Sequence, residues 1–343
     1  MPTKFVNLSL LTLLCLLTAT GLLALVFSAG AGWLFALHRL AGVALVLLLP
    51  WKTLIAWRSL RRRWSRGAGR AFAVGVSLPL AGLVLLTLAL VLAWTLNWTE
   101  LWGVFGYPAL LLHWYIALLL LPFLGFHAYS HWYPRPAKGL LNTRRQFLRV
   151  GVLGVGAIFA WSGLTLVANA LQALDALRRF SGSREVGSFG ANAMPVTMLL
   201  TDHPAPLDLA AWRLTVTGLG MNRLSLSLAE WAALPQSTLT ATLDCTNGWY
   251  STQHWSGVRV GDVLAHAGLV ETAAALVRVV SVTGHSVTLP LSQARDALLA
   301  TAITGEVLTH PHGAPVRLVH PALRGWLWIK WVTRIEVVNA SSQ

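Results

Sequence analysis

The first half of this chain is dominated by apolar runs too long for a soluble core to hold. Stretches near residues 8–28, 33–57, 72–96, 108–131 and 150–170 each reach the roughly 20 residues that the hydrocarbon core of a bilayer requires. A segment in lipid must satisfy its own backbone hydrogen bonds, so five membrane-spanning α-helices are the expected form. The first run is not expected to be a cleaved signal peptide, because it is long and a second run follows almost at once. A total of 343 residues leaves room for one globular domain of ordinary size beyond the helices.

The net charge of +14 invites a nucleic-acid reading, and its distribution rules against one. Residues 1–149 hold 14 of the 26 Lys and Arg but a single acid, Glu100, so the remainder is nearly neutral. The excess forms two blocks, Arg58, Arg61, Arg62, Arg63, Arg66 and Arg70, then Arg135, Lys138, Arg144, Arg145 and Arg149. The connections at 29–32 and 97–107 carry no Lys or Arg. Positive residues stay on the cytoplasmic side, which puts both blocks inside and the bare turns outside. Five spans starting from a cytoplasmic Lys4 then deliver residues 171–343 to the outer face. The charge describes topology, and the expected partner is the lipid bilayer, with no nucleic acid.

Before the fifth run, Thr143, Arg144, Arg145, Phe147 and Leu148 resemble a twin-arginine export signal, with Arg149 in place of the usual lysine. The alternative is an ordinary cytoplasmic loop rich in arginine. Such a route exports folded proteins, as a cofactor inserted in the cytoplasm would require, and no cleavage site is evident. Residues 171–195 read as a polar linker containing Gly and Ser.

Four histidines lie in or at the edge of the spans: His38, His113, His127 and His131. A histidine in lipid is costly and points to function. His38 and His113 each stand five residues from the outer end of their span, roughly 7–8 Å below the surface at the helical rise. Two helices presenting histidines at equal depth suit a bis-histidine b-type haem in a four-helix bundle. Residues 1–132 loosely resemble cytochrome b membrane subunits of that kind. Gly42 and Ala117 leave space for a macrocycle, and Arg39 could meet a propionate. His127, about 21 Å further along the helix from His113, is a ligand for a possible second haem, although the equivalent step from His38 reaches Lys52. The alternative for these histidines is a polar helix–helix contact.

Two cysteines remain. Cys15 lies in the first span, where a small apolar role suffices. Cys245 falls on the far side of the membrane, so the two cannot pair. A lone cysteine there is either an inert thiol or a functional one.

From residue 196 the pattern turns to short β-rich stretches, WRLTVTGL, LTATLDC, VRVVSVTG, HSVTLPL, PVRLVHP and WVTRIEVV, with helical pieces near 227–234, 260–269 and 291–299. That predicts an α+β layout on a mixed or antiparallel sheet. Within it, LDCTNGWYSTQHWSGVRVGDVLAHAGL and HPHGAPVRLVHPALRGWLWIKWVTRIEV resemble the molybdopterin-binding domain of the sulfite oxidase family, whose bacterial branch includes periplasmic methionine-sulfoxide reductase catalytic subunits. The resemblance implies that Cys245 ligates molybdenum, a metal suited to a soft thiolate. It implies that His312 and Arg317 grip the pterin and its phosphate, the latter with a planar fork. Lys330 falls beside the same phosphate, and His203, in TDHPAP, faces the pterin. The sequence departs from the family after the cysteine, where Thr246, Asn247, Gly248, Trp249 and Tyr250 replace the arginines that bind sulfite, a poor site for an anion. Asp202 replaces a usual asparagine, ATAITGE at 300–306 lacks the family's acid and asparagine, and His285 stands where an aromatic is frequent.

The expected molecule is a multi-domain membrane protein: an all-α transmembrane helical bundle followed by an α+β sulfite oxidase-type molybdopterin-binding domain. Its divisions are 1–132 (four-helix haem domain), 133–170 (cytoplasmic loop, twin-arginine motif and fifth helix), 171–195 (linker) and 196–343 (molybdopterin domain). The expected cofactors are molybdenum-molybdopterin and haem b. The expected location is the bacterial cytoplasmic membrane with the catalytic domain in the periplasm. A quinone or periplasmic electron carrier and a small-molecule or oxidised-protein substrate are the expected partners. Two other readings stay open: a reductase of oxidised substrates such as methionine sulfoxide fed from quinol, and a cofactor-free membrane assembly or sensing subunit.

Overall fold

A helix apolar on every side has no face to turn towards water, and the N-terminal half is made of such helices. The computed structural model describes residues 2–26, 32–64, 71–95, 109–130, 144–171, 179–197, 202–218, 223–269 and 275–339. It divides into two units, Met1–Asp175 and Ala176–Gln343. The described helices of the first are α1 (Thr3–Val26), α2 (Gly32–Trp64), α3 (Ala71–Thr95), α4 (Ala109–Ser130) and α5 (Arg144–Leu171). All five are long and apolar enough to cross a membrane.

Two differences from the expected spans have physical causes. α2 continues to Trp64, because arginine is a good helix former and its charges need only the water beyond the bilayer edge. α5 begins at Arg144, so Arg144 and Arg145 form its first turn rather than a loop ahead of it. His131, and Arg135 and Lys138 of the second basic block, lie outside the described residues.

Polar bonds across the helices set their register. Lys52 Nζ donates to Asn7 Oδ1 at 3.0 Å and Thr20 meets His38 at 2.9 Å, so α1 and α2 run antiparallel. Thr87 meets His113 at 2.9 Å and Ser77 meets His127 at 3.2 Å, which makes α3 and α4 antiparallel as well. α5 packs along α2. Phe5, Val6, Leu10, Leu45 and Leu48 form the buried centre of this unit.

The C-terminal unit contains two sheets among its described residues. One joins β1 (Arg184–Glu185), β5 (Trp249–Arg259), β8 (Leu298–Ile303) and β10 (Arg317–Val319), with β4 (Ser237–Asp244) on β5 and β9 (Glu306–Val307) on β8. The other runs β3 (Leu224–Leu226), β2 (Leu214–Gly218), β11 (Val332–Asn339), β6 (Ala275–Ser281) and β7 (Ser286–Pro290). The pairs β1–β5 and β2–β11 are parallel and the rest antiparallel. Short helices α6 (Leu228–Ala232), α7 (Val260–His266) and α8 (Leu291–Ala294) fill the connections. A capping box between Ser227 and Glu230 starts α6. Leu214, Val216, Val277, Val279, Ile335 and Leu318 lie in the larger of this unit's two cores, and Trp255 and Trp328 in the other.

The longest strand, β5, is absent from the strand reading because its inward positions include Ser251 and Gln253, both fully buried. Gln253 is satisfied there by donating to Gly187 O and accepting from the Ala191 amide and the Thr304 hydroxyl. These bonds fasten residues 187–191 to the sheet. The stretch expected as linker is therefore integral from Arg179 onward, with β1 paired to β5 and Ser181 and Ser183 buried against Asp244.

Candidate active site

Cys245 follows the last residue of β4 and opens the tight β4–β5 connection. Its amide donates to Trp249 O at 2.9 Å, and Gly248 closes the turn at φ +87°, a left-handed conformation that favours glycine. The turn holds a cysteine that is only 8% exposed. Beneath it, Gly325 approaches so closely that a Cβ there would lie 2.9 Å from Asp244 O. This approach brings Trp326 and Trp328 to the cysteine.

Asp244 anchors the turn from behind. Its carboxylate takes Arg324 Nη1 at 3.0 Å, Arg179 Nε at 3.2 Å and the hydroxyls of Ser181 and Ser183 at 2.8 Å. A buried carboxylate is tolerable only with such a set of partners.

The cleft above Cys245 is lined by Thr197, Asp202, Asn247, Trp249, His285, His312, Arg317, Trp326, Trp328 and Lys330. Arg317 begins β10 with its guanidinium 5.6 Å above the Trp255 ring, and Nη1 donates to His312 O at 2.9 Å. Lys330 Nζ donates to Thr197 O at 2.9 Å and Pro311 O at 2.7 Å. Gly313, at φ +110°, lets this lysine pass, since a Cβ there would lie 3.1 Å from its backbone and side chain. Burial brings Arg317 down to about 10. Burial and the neighbouring Arg317 bring Lys330 down to about 7. Two cations crowded in a dry cleft are stabilised by an anion between them.

The Cys245 thiol is pushed up by burial, partly offset by the Asn247 amide and the Thr197 hydroxyl, with Lys330 and Arg324 pulling the same way. Its Sγ lies 3.6 Å from Thr197 Oγ1, which also receives Trp249 Nε1 at 3.2 Å. Three buried polar atoms on lining residues, Arg317 Nε, Asn247 Nδ2 and Asp202 Oδ1, make no protein hydrogen bond. Buried polar groups are ordinarily satisfied, so these orphans fit a polar ligand that accepts from Arg317 and Asn247 and donates to Asp202.

The structure thus brings Cys245, His312, Arg317 and Lys330 into one cleft. His312 contributes indirectly: Nε2 donates to Met194 O at 3.0 Å, leaving Nδ1 to accept from Thr309 Oγ1 at 2.7 Å. Both ring nitrogens are thereby engaged in pinning the cleft wall, and burial lowers the histidine's affinity for a proton. His203 is exposed and does not line the cleft, whereas its neighbour Asp202 does. Thr197, Asn247 and the Asp244–Arg324 pair were not legible as site residues beforehand. Asp244 and Asn247 flank Cys245 in the sequence, whereas Thr197 and Arg324 carry no local signal.

In the N-terminal unit, the rings of His38 and His113 lie 6.5 Å apart, centroid to centroid, and nearly perpendicular at 78°. Two metal–nitrogen bonds of about 2 Å plus the ring radii give roughly 6 Å for imidazoles on opposite sides of one metal. His113 Nδ1 donates to Thr87 O, an atom that can only accept. Thr20 Oγ1 gives its hydrogen to Leu16 O at 2.7 Å, so it accepts from His38 Nδ1 at 2.9 Å. Each histidine therefore keeps its Nε2 electron pair for a ligand. Arg39 adjoins His38 in α2. His127 bonds Ser77, and Lys52, at the matching level of α2, bonds Asn7.

Residues 201–343 match the family described as oxidoreductase molybdopterin binding domain, which defines the C-terminal unit as an oxidoreductase domain of that class. Over 138 residues the chain is 35% identical to the uncharacterized oxidoreductase YuiH of Bacillus subtilis, covering 39% of this chain and 69% of that protein. Rat mitochondrial sulfite oxidase is 33% identical over 180 residues, covering 43% of this chain and 33% of its own. The chain belongs to the sulfite oxidase family of molybdopterin oxidoreductases. It spans about a third of the length of the mammalian sulfite oxidases it matches. Among solved structures, the sulfane dehydrogenase SoxCD of Paracoccus pantotrophus aligns over 39% of each chain at 26% identity, with a TM-score of 0.37.

Proposed function

We propose that this chain is a membrane-anchored molybdenum oxidoreductase. In this reading the C-terminal unit works on the periplasmic face of a bacterial cytoplasmic membrane. The N-terminal helices hold a b-type haem that exchanges electrons with the quinone pool or a periplasmic carrier. The observation that carries the proposal is the buried Cys245 thiol set in one cleft with Arg317, Lys330 and three orphaned polar atoms.

A molybdenum–pterin group, when bound, supplies two-electron redox chemistry and oxygen-atom transfer. Cys245 would hold its metal as a thiolate. Burial by itself disfavours that thiolate, and a directly bound cation reverses the balance. Arg317 and Lys330 would hold the cofactor's phosphate, and Asp202 and Asn247 present polar atoms to its pterin. His312 fixes the wall by tying Met194 to the 309–312 turn. His38 and His113 would hold the haem, with Arg39 near a propionate. His127 is left out, because Lys52 is no ordinary haem ligand. Arg144 and Arg145 are read as part of an export signal for an already folded, cofactor-loaded domain.

The rim around the cysteine favours an uncharged substrate over sulfite. Thr246, Asn247, Trp249, Trp326 and His285 are the residues there, and the nearby Arg324 is engaged by Asp244. An oxidised neutral substrate such as a methionine sulfoxide, reduced with electrons from quinol, fits that rim.

The test is Cys245→Ser in the full chain purified in mild detergent. Molybdenum content and oxygen-atom-transfer turnover should both fall to background, while the reduced-minus-oxidised haem spectrum stays at the wild-type level. Turnover surviving the substitution would sink the proposal.

A further inference from the structure

The haem reading leaves open what prepares His38 to act as a ligand. Thr20 is 2% exposed and lies in α1, opposite His38 in α2. Its hydroxyl hydrogen is committed to Leu16 O at 2.7 Å, with Leu17 O also within 3.2 Å. Its oxygen can then only accept from the imidazole, at 2.9 Å. Gly21 adjoins the same part of the His38 ring, and a Cβ there would lie 3.4 Å from Cε1 and 3.8 Å from Nδ1. Thr20 and the Leu17 carbonyl of the same turn of α1 thus both hold the His38 imidazole, and Thr20 is the side chain among them. His113 is held by the Thr87 carbonyl alone among the bonds described, with no hydroxyl beside it.

A hydrogen-bond acceptor on the far nitrogen of a metal-bound imidazole fixes its orientation and makes it a more basic ligand. A more basic ligand favours the oxidised, more positively charged metal, and so lowers the reduction potential. We propose that Thr20 is a positioning residue that holds His38 as the Nδ1–H tautomer and sets the potential of the haem shared with His113. The proposal rests on the haem reading above. It makes α1, which contributes no ligand, the helix that tunes the electron carrier.

Four full-length proteins in detergent test it: wild type, Thr20→Val, Thr20→Ser and Thr18→Val. Thr18 makes the same type of bond to its own helix, to Leu14 O at 2.9 Å, and serves as the control. Haem content is read from the reduced-minus-oxidised spectrum and the midpoint potential from a redox titration. Thr20→Val should shift the midpoint to a more positive value, while Thr20→Ser and Thr18→Val keep the wild-type value. Loss of haem in Thr20→Val alone among the three variants also supports the role, since it reports failure to present His38. An unmoved midpoint in haem-containing Thr20→Val overturns the proposal and leaves the haem reading intact. Equal shifts or equal haem loss in Thr20→Val and Thr18→Val overturn it too, because the effect then belongs to the helix. A wild-type protein without a haem band overturns the haem reading and this proposal together.

Discussion

Lys330 shows how the cleft stores the cost of its own charge. Burial and Arg317 bring its ammonium down to about 7 from an ordinary 10.5. Between about pH 7 and 9 the unfolded chain therefore binds more protons at this position than the folded one. Stability contributed by this group must rise with pH across that window. Above about 9 the Cys245 thiol, raised by burial from its ordinary 9.0, works in the opposite direction. In protein prepared without cofactor, thermal melts should show a Tm that climbs from pH 7 to 9 and then levels. Lys330→Met should lack the climb. A variant that climbs as the parent does would show that the charge is relieved by other means. An anionic group seated between Arg317 and Lys330 should also abolish the rise, because it restores the ammonium to its charged form.

At the scale of elements, the β4–β5 hairpin does most to place the site, and Asp244 is its fixed point. Asp244→Ala would remove the carboxylate that pairs with Arg324, whose side chain is 6% exposed. Breaking such a pair typically costs about 3–5 kcal/mol, and denaturant melts of the variant should show a loss of that order. Much of the layout was legible in the sequence. Alternating apolar residues gave β2, β6, β7 and β11, and length and hydropathy gave all five long helices. The site residues Cys245, Arg317 and Lys330 were legible only through their motifs, and the structure sets them in one cleft. β5 was not legible, because Ser251 and Gln253 sit at inward positions where alternation expects apolar side chains. Their partners come from residues 187, 191 and 304, and no local pattern encodes bonds of that sequence separation. Thr20 was missed for the same reason: a threonine in an apolar run looks ordinary until the neighbouring helix supplies a histidine.

At the scale of the whole molecule, the two units divide near residue 175, whereas the family match begins at residue 201. The chain between these points holds β1, the Ser181 and Ser183 bonds to Asp244, the Met194 carbonyl that engages His312 and the Thr197 that meets Cys245. Expressed alone, a fragment starting at residue 176 should melt cooperatively. One starting at 201 should show a broad transition and bind hydrophobic dyes. Matching cooperative melts from both fragments would show the strap to be dispensable. If the strap is required, the boundary of recognisable ancestry and the boundary of autonomous folding differ here by some two dozen residues. A library or graft designed on the ancestral boundary would then inherit the metal-binding cysteine without the wall that keeps it dry.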